Sequence, residues 1–396
     1  MTRAMRAIPA LVVALATALT GCSDPRAALS ALPGSGCIAD FDPATDYFPD
    51  KSTLTDATNF RIDYHRSYQI LTVVHPYQGG QPESYVLVRC GAPAPELTGE
   101  LTNAQRITIP VRSLYSGSTT HLAMIAELGR SDIITGVANP AAVADRQIRA
   151  RIKADTIVGY ASGGQINVER VIGAGPDVVV TEGLDDPGFA AVRRAGIPVL
   201  ADAEWLESSP LGRAEWVKMF AALTGTERQA AAIYASIRDG YHALTNRAAG
   251  AQPIDVLVGA LYSGNWSMPT ADSYAGRLIA DAGGTYPWLS KADTPYRLLN
   301  FETVYAHAGS APVWLVTDDW KTLQDAVARD PRYAELTALR TGNVWSATKT
   351  RVADDANSYW ERGPARPDLV LGDLVAILHP ELADGHQFEF YRQVQR

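Results

Sequence analysis

The alternation of strand-like and helix-like segments from residue 107 onward constrains the fold of this chain more than any other feature. Short apolar runs recur between segments whose apolar residues return every three or four positions, and Gly or Pro often separates them. In the first half, the predicted strands are 107–114, 133–137, 177–181 and 196–200, and the predicted helices are 121–128, 167–173 and 186–195. This alternation predicts an α/β fold with a mainly parallel sheet.

The same alternation returns after residue 251. Here the predicted strands are 254–260, 313–317 and 344–345, and the predicted helices are 273–282, 300–308, 323–328 and 367–379. Between the two rounds, Ser209-Pro210 opens a helical region that Gly225 interrupts and that could run roughly 45 to 50 Å. The sequence therefore predicts two α/β lobes, residues 106–208 and 251–396, joined by a long helix within residues 209–250.

A different pattern precedes the first lobe. Residues 60–64, 68–74 and 85–89 are strand-like runs, and Gly79-Gly80 marks a turn between the last two. Residues 37–105 are therefore predicted to form a small β extension.

The N-terminus combines two arginines, Arg3 and Arg6, with an apolar run too short to span a bilayer. The run ends in Leu19-Thr20-Gly21-Cys22, which resembles the bacterial lipobox. The resemblance implies a signal peptide at residues 1–21, lipidation of Cys22, a tether at 22–36 and a protein held at a membrane of the cell envelope, facing the periplasm or the outside. The alternative is an ordinary secretory signal that happens to contain a cysteine.

Export changes the interpretation of the two remaining cysteines, Cys37 and Cys90. Oxidising compartments favour disulfides, so we expect these two residues to be bridged. Closing a loop of this length would stabilise the fold by roughly 4 kcal/mol on a chain-entropy argument. Two buried free thiols are the alternative.

Charge and motifs exclude several classes of function. The net charge of −8 argues against a nucleic-acid partner, and no stretch after residue 22 approaches the length of a transmembrane helix. The sequence has no nucleophile elbow, phosphate-binding loop, dinucleotide fingerprint or Cys-x-x-Cys pair. Without these motifs we expect no enzymatic activity and no cofactor. The seven histidines are scattered, so we also expect no direct capture of a bare metal ion.

Aromatic side chains are frequent near the carboxyl ends of predicted strands, where α/β lobes face their clefts. Aromatic surfaces of this kind bind large planar ligands, and Arg297 could meet an anionic group. The candidate ligand-binding residues are Tyr115, Tyr160, Trp205, Tyr262, Trp266, Tyr296, Arg297, Tyr359 and Trp360. Each aromatic residue has the alternative of being a packing residue, and Trp216, Trp288 and Trp314 are assigned to the core.

From about residue 112 the chain resembles the class III periplasmic substrate-binding proteins of ABC importers for iron–siderophore, haem and cobalamin. The segments that carry the resemblance are Leu128-Gly-Arg-Ser-Asp-Ile-Ile-Thr-Gly136, Asn167-Val-Glu-Arg-Val-Ile-Gly-Ala-Gly-Pro-Asp177, Pro210-Leu-Gly-Arg-Ala-Glu-Trp216 and the stretch from Arg366 to Pro380. The resemblance implies a monomer with a rigid interlobe helix, whose cleft binds a metal chelate or cobalamin for delivery to a permease dimer.

In this family an acidic residue on each lobe pairs with arginines of the permease dimer. Glu169 matches the first of these positions. For the second, Thr285 follows Gly283-Gly284 where the family often has an acid, which leaves Asp281 and Glu302 as weaker candidates.

Two other classes of function remain open. An exported enzyme can be built on the same scaffold, since fold does not fix function. A surface sensor is the other, and the β extension would then be its working part. If the chain is instead a transport receptor, removal of residues 37–90 is expected to leave its ligand affinity unchanged.

Overall fold

The structure, a computed structural model, consists of two α/β lobes and an N-terminal β extension. It describes residues 36–183, 186–290, 294–352, 356–383 and 385–396. The signal peptide predicted at residues 1–21 and the predicted lipidation site at Cys22 lie outside the described residues. Of the tether predicted at residues 22–36, the structure describes the last residue. Within the described part of the chain, no helix is both long and apolar enough to cross a membrane.

The β extension is a four-stranded sheet in the order β1-β2-β3-β4. Its strands are β1 (Phe60–Tyr64), β2 (Tyr68–Val73), β3 (Glu83–Arg89) and β4 (Gln105–Ile109). The first three strands are antiparallel, whereas β4 runs parallel to β3. A disulfide joins Cys37 to Cys90, the pairing expected from the sequence.

The first lobe contains a parallel five-stranded sheet in the order β11-β10-β5-β6-β7. Its strands are β5 (Leu114–Ser116), β6 (Ile134–Val137), β7 (Val158–Gly159), β10 (Val178–Thr181) and β11 (Val199–Ala201), with a separate hairpin of β8 (Ala161–Ser162) and β9 (Gln165–Ile166). The helices are α1 (Thr119–Glu127), α2 (Arg146–Lys153), α3 (Val168–Ala174) and α4 (Pro187–Arg194).

The predicted strand 107–114 is two strands in the structure. Pro110, which lacks a backbone N–H, follows β4 and separates it from β5. The first of these strands belongs to the extension and the second to the lobe. The sheet of the extension therefore continues past residue 105.

The region predicted as one long helix is three consecutive helices: α5 (Pro210–Glu215), α6 (Val217–Thr224) and α7 (Glu227–Ala248). Gly225 ends α6 with a φ of 69°, a left-handed conformation that glycine adopts without strain. The longest of the three, α7, has 22 residues and spans about 33 Å. It packs along the last long helix of the second lobe.

The second lobe has a five-stranded sheet in the order β15-β12-β17-β18-β19, parallel except for β19. Its strands are β12 (Ile254–Val258), β15 (Gly284–Thr285), β17 (Val313–Val316), β18 (Val344–Ser346) and β19 (Arg392–Gln393), and a second, antiparallel sheet contains β13 (Leu261–Tyr262), β14 (Asn265–Pro269) and β16 (Tyr296–Leu299). The helices are α8 (Tyr274–Asp281), α9 (Phe301–Ala308), α10 (Leu323–Arg329), α11 (Thr337–Thr341), α12 (Ser358–Glu361) and α13 (Pro367–Leu378).

Each strand and helix predicted in the two lobes overlaps an observed one. The three-stranded antiparallel sheet and the short helices α2, α11 and α12 were not predicted, because short elements carry too few periods to stand out. The observed architecture confirms the predicted α/β class with mainly parallel sheets.

The extension shares a hydrophobic core with the first lobe rather than standing apart from it. Phe60 packs on the buried Trp216 with ring centroids 4.6 Å apart. The side-chain amide of Gln105 accepts the backbone N–H of Val199 at 2.8 Å and donates to its carbonyl at 3.0 Å. Gln105 therefore pairs with the open edge of β11 as a neighbouring strand would. Deleting residues 37–90 would remove part of this core, so that deletion cannot separate transport from sensing.

Two buried carboxylates, Glu215 in α5 and Glu207 just before it, hold the loop that precedes β1. Glu215 is fully buried and accepts the backbone N–H groups of residues 55–57 at 2.7 to 3.0 Å, and Lys218 Nζ lies 2.6 Å away. Glu207 likewise accepts the N–H groups of Thr58 and Asn59. A buried carboxylate is stable only when it is paired in this way.

We predict that Glu215→Gln destabilises the protein by roughly 2 to 4 kcal/mol, because it leaves Lys218 without its counter-ion and removes one acceptor from the three N–H groups. Thermal and urea unfolding measure the change. Glu302→Gln is the matched control, since Glu302 pairs with Arg332 at the exposed surface and such pairs contribute little. Equal melting temperatures for the two variants would contradict the prediction.

Candidate functional site

The strand order of the first lobe predicts a crevice between the loops that follow β5 and β10. The chain runs from β5 outward to β6 and β7, then returns to the other side of β5 as β10 and β11. Loops that leave the carboxyl ends of β5 and β10 therefore diverge, and ligands of open parallel sheets bind at such a switch point. Residues that directly follow these two strands are the first candidates for a binding site.

A cavity of about 560 Å³ lies at this point. Part of its lining consists of small or polar residues at or after the ends of β5, β6 and β10. These residues are Ser116, Gly117, Ser118, Thr119, Ala138, Asn139, Thr181, Glu182 and Asp186. Gly117 donates its N–H to Val180 at 2.7 Å, and a Cβ at this position would lie 3.0 Å from the same oxygen. Glycine thus lets the two loops approach each other at the floor of the cavity.

Tyr160 lines this first cavity and is almost completely buried. Its side chain is 2% exposed, stacks on Tyr115 with centroids 5.2 Å apart and lines the cavity. The hydroxyl has no hydrogen-bond partner in the described structure. Burial raises the pKa of Tyr160, and the charge of Glu182 adds to the shift, so the phenol keeps its proton. A buried hydroxyl without a partner is costly, and a ligand acceptor would relieve that cost.

A second cavity, of about 320 Å³, continues from the first and lies between the lobes. The two cavities share Ser118, Thr119 and Glu182. Both lobes and the linking region contribute to the remaining lining, which is Thr120, His121, Asp202, Glu204 and Trp205 from the first lobe, Arg213 from α5, and Tyr274, Tyr359, Trp360 and Pro364 from the second lobe. This lining makes the two cavities together an interlobe cleft.

Titratable groups in the wall of the second cavity are arranged as two pairs. Arg213 donates to Glu204 at 2.7 Å and its guanidinium lies over the ring of Tyr274 at 4.5 Å, so one pair links α5 to both lobes. In the other pair, His121 Nε2 and Asp202 Oδ2 are 3.6 Å apart and both side chains are fully buried. Burial lowers the pKa of His121 to about 3 and raises that of Asp202 well above its usual range, so both favour their neutral forms.

Four of the predicted ligand residues line the cleft. Tyr160 belongs to the first cavity, and Trp205, Tyr359 and Trp360 to the second. Trp205 and Trp360 are 43% and 55% exposed, and they approach from different lobes. The indole N–H of Trp205 donates to the carbonyl of Glu182 at 2.9 Å, which fixes the ring beside that residue.

Two predicted ligand residues lie in the interior instead. Tyr115 is buried beneath Tyr160 and lines neither cavity. Trp266 is in strand β14, where it is fully buried, stacks on Trp314 and donates to the carbonyl of Val258 at 2.6 Å. The alternation of this strand turns Trp266 and Met268 inward, which corrects its assignment as a ligand residue.

The other three predicted ligand residues lie together on the antiparallel sheet that follows β12. Tyr262, Tyr296 and Arg297 are exposed there, and none of them lines either cavity.

Trp216 and Trp314 are fully buried, as their assignment to the core requires, and Trp288 is partly buried against that core.

The candidate docking residue Glu169 is exposed in the first turn of α3, whose N-terminus is capped by Asn167. Of the two weaker candidates for the second docking acid, Asp281 accepts the hydroxyl proton of Tyr241 at 2.7 Å. Glu302 is exposed and pairs with Arg332 at 2.8 Å.

Sequence reasoning missed Ser118, Thr119 and Glu182, which belong to both cavities. A signal for them is present, since each lies within three residues of the end of a strand that was predicted correctly or in part. Among the described residues, no group of three or more His, Cys, Asp or Glu side chains is arranged to hold a metal ion.

A buried carboxylate joins the two lobes on another side of the cleft. Glu361 of the second lobe accepts the backbone N–H groups of Ala144 and Asp145 in the first lobe at 2.6 and 2.9 Å. Burial raises the pKa of Glu361 to about 7, against an ordinary value of 4.5, although these two hydrogen bonds and the charge of Arg149 favour the ionised form. The charge of Asp145 also favours protonation.

We predict that Glu361 makes the folded protein more stable as the pH is lowered. Because its folded pKa lies above the unfolded value, the folded protein takes up a proton first, and this stabilisation is lost as the pH rises through about 7. Relative to Glu361→Gln, the unfolding free energy of the wild type should rise by up to the order of 3 kcal/mol between about pH 7.5 and about pH 5. Melting temperatures of both proteins at the two pH values measure the effect, and parallel curves would contradict it.

Comparison with known sequences identifies relatives of this chain. A family profile described as periplasmic binding protein matches residues 114–350, more than half of the chain. An uncharacterized lipoprotein of Methanocaldococcus jannaschii is 26% identical, and the match covers 81% of this chain and 80% of that protein.

Solved structures of other proteins have the same fold as this chain. A periplasmic heme binding protein from Pseudomonas aeruginosa superposes with a TM-score of 0.56 at 15% identity, over 72% of this chain and 99% of that one. The Ceue protein of Helicobacter pylori, solved with Ni(II) bound, superposes with a TM-score of 0.53 at 18% identity, over 72% of this chain and 88% of that one. Both similarities concern the two-lobe architecture.

Proposed function

The chain belongs to the periplasmic binding protein family, and on that premise we propose that it is the substrate-binding component of an ABC importer. It captures a metal chelate such as an iron–siderophore or haem, or a cobalamin, in the interlobe cleft and delivers it to a permease dimer. The domain boundaries that accompany this proposal are those expected from the sequence, with residues 209–250 linking the lobes, except that the extension runs to Ile109 at the end of β4.

The observation that carries the proposal is the second cavity, which both lobes line. A guest seated there touches Trp205 of the first lobe and Trp360 of the second, so binding and lobe geometry are linked. Half-exposed aromatic rings of this kind suit a bulky guest with flat or ring-bearing surfaces. Tyr262, Tyr296 and Arg297, on the exposed antiparallel sheet, are proposed to contact the outer part of such a guest.

Attachment to a membrane is part of the proposal. Cleavage before Cys22 and lipidation of that residue would place the binding lobes in the periplasm or outside the cell, at the surface where an importer opens. The lipobox-like segment supports this, as does the lipoprotein of Methanocaldococcus jannaschii among the relatives. An exported enzyme on the same scaffold remains the alternative, and turnover of a chelate or ester by the pure protein would favour it.

Titration with chelates tests the ligand. We predict that at least one of a ferric siderophore, haem or cobalamin quenches tryptophan fluorescence, and that free Fe, Zn and Mn salts do not. Trp205→Ala and Trp360→Ala should each weaken binding by about 1 to 3 kcal/mol. Tyr305→Ala, an exposed aromatic that lines neither cavity, is the control. Tight binding of a free ion together with indifference to every chelate would overturn the proposal.

Glu169 is proposed to pair with an arginine of the permease, because it is exposed and matches the acidic position of the family. We predict that Glu169→Ala lowers uptake in cells or proteoliposomes while the affinity for ligand in solution stays unchanged. Glu96→Ala removes another exposed acid and should affect neither quantity. Loss of ligand affinity in the Glu169 variant would show that the residue acts at the cleft instead.

A further inference from the structure

The charges that line the interlobe cleft are unbalanced. Among the described residues that line the two cavities, the carboxyl groups are those of Glu182, Asp186, Asp202 and Glu204, and Arg213 is the one arginine or lysine. Arg213 is already committed to Glu204, with which it forms contacts of 2.6 and 2.7 Å. The cleft therefore has no positive side chain available for an anionic guest within this part of the structure.

Glu182 is the acid that lacks a partner. Asp186 accepts a backbone N–H at the start of α4, and burial keeps Asp202 near its neutral form. No described side chain pairs with the carboxylate of Glu182, and the residue lines both cavities. Glu182 is exposed in the cavity wall, so a guest in the cleft can reach its carboxylate, and a cation placed there would supply the counter-charge that it lacks.

Two buried polar atoms of residues in the same walls have no hydrogen-bond partner among the described residues. They are the hydroxyl of Tyr160, a residue that lines the first cavity, and Oδ2 of Asp202, a residue that lines the second, which lies 3.6 Å from His121 Nε2. Both side chains are at least nine-tenths buried. Groups of this kind are satisfied by a polar guest, so the acidic character of the cleft is accompanied by a separate sign of ligand binding.

Aromatic faces complete the environment. Trp205 and Trp360 line the second cavity from opposite lobes, and Trp205 is held beside Glu182 by its hydrogen bond to that residue's carbonyl. Indole faces attract cations through their quadrupole, and the attraction grows as water is excluded.

We propose that the cleft selects a positively charged guest, namely a metal chelate or corrin with a net positive charge or a free ammonium group, whose cation lies beside Glu182 and against Trp205 and Trp360. The inference rests on the proposed function and narrows its ligand class. Anionic chelates would meet the carboxylate of Glu182 without a compensating cation.

Matched ligand pairs test the inference. One pair is a ferric trihydroxamate that ends in a free amine and the N-acetylated form of the same chelate, and the other is aquacobalamin and cyanocobalamin. In any pair that binds, we expect the cationic member to bind at least about tenfold more tightly. Glu182→Gln should remove most of this preference, whereas Glu96→Gln, at an exposed loop position, should leave it unchanged.

The outcomes separate this inference from the proposed function. Equal affinity for the two members of each pair that binds, or a preference that survives Glu182→Gln, would overturn the charge selection and leave the receptor function standing. Tight binding of haem or a ferric catecholate, when no member of either matched pair binds, would also overturn the charge selection and leave the receptor function standing. If no chelate or corrin binds the wild-type protein, the proposed function fails and the inference fails with it.

Discussion

Buried carboxylates that accept backbone N–H groups hold distant parts of this chain together. Glu215 and Glu207 bind the loop before β1, Glu361 binds the start of α2, and Asp373, which is fully buried, accepts the N–H groups of residues 389–391 near the C-terminus. Each bond satisfies two groups that would be costly to bury alone, so loss of either partner costs more than the bond itself contributes. Loops that would otherwise be free are fixed in this way against the lobes and the linking helices.

This arrangement makes the β extension a structural part of the first lobe. Gln105 and Tyr85 occupy the open edge of β11, since the hydroxyl of Tyr85 accepts the N–H of Ala201 at 3.0 Å. The residues that follow β11 are Asp202, Glu204 and Trp205, all of which line the interlobe cleft. The extension therefore supports the strand that carries one wall of the binding site, although the structure places no extension residue in the lining of either cavity.

The sequence predicted the α/β class and the positions of most strands and helices because apolar periodicity is a local property. It predicted the interruption at Gly225 but not the break at Trp216, since a helix can continue through a tryptophan when packing allows it. Trp266 was wrongly assigned to the ligand site because its burial depends on the register of β14 against β16. The sequence of a single strand does not reveal that register. The contacts of Glu215 and Glu361 join residues about 160 and 217 positions apart, so no local pattern could predict them.

Within the second lobe, one short helix serves both the cleft and the contact between the lobes. In α12, Trp360 lines the second cavity while its neighbour Glu361 holds the backbone of residues 144 and 145 in the first lobe. Arg362, at the end of the same helix, lies 3.3 Å from Glu127 of α1 and so adds a second link between the lobes. Trp360 and Glu361 are adjacent residues of a helix of four residues, so the cavity wall and the interlobe hydrogen bonds share one element. One short helix therefore connects the wall of the second cavity to a contact between the lobes.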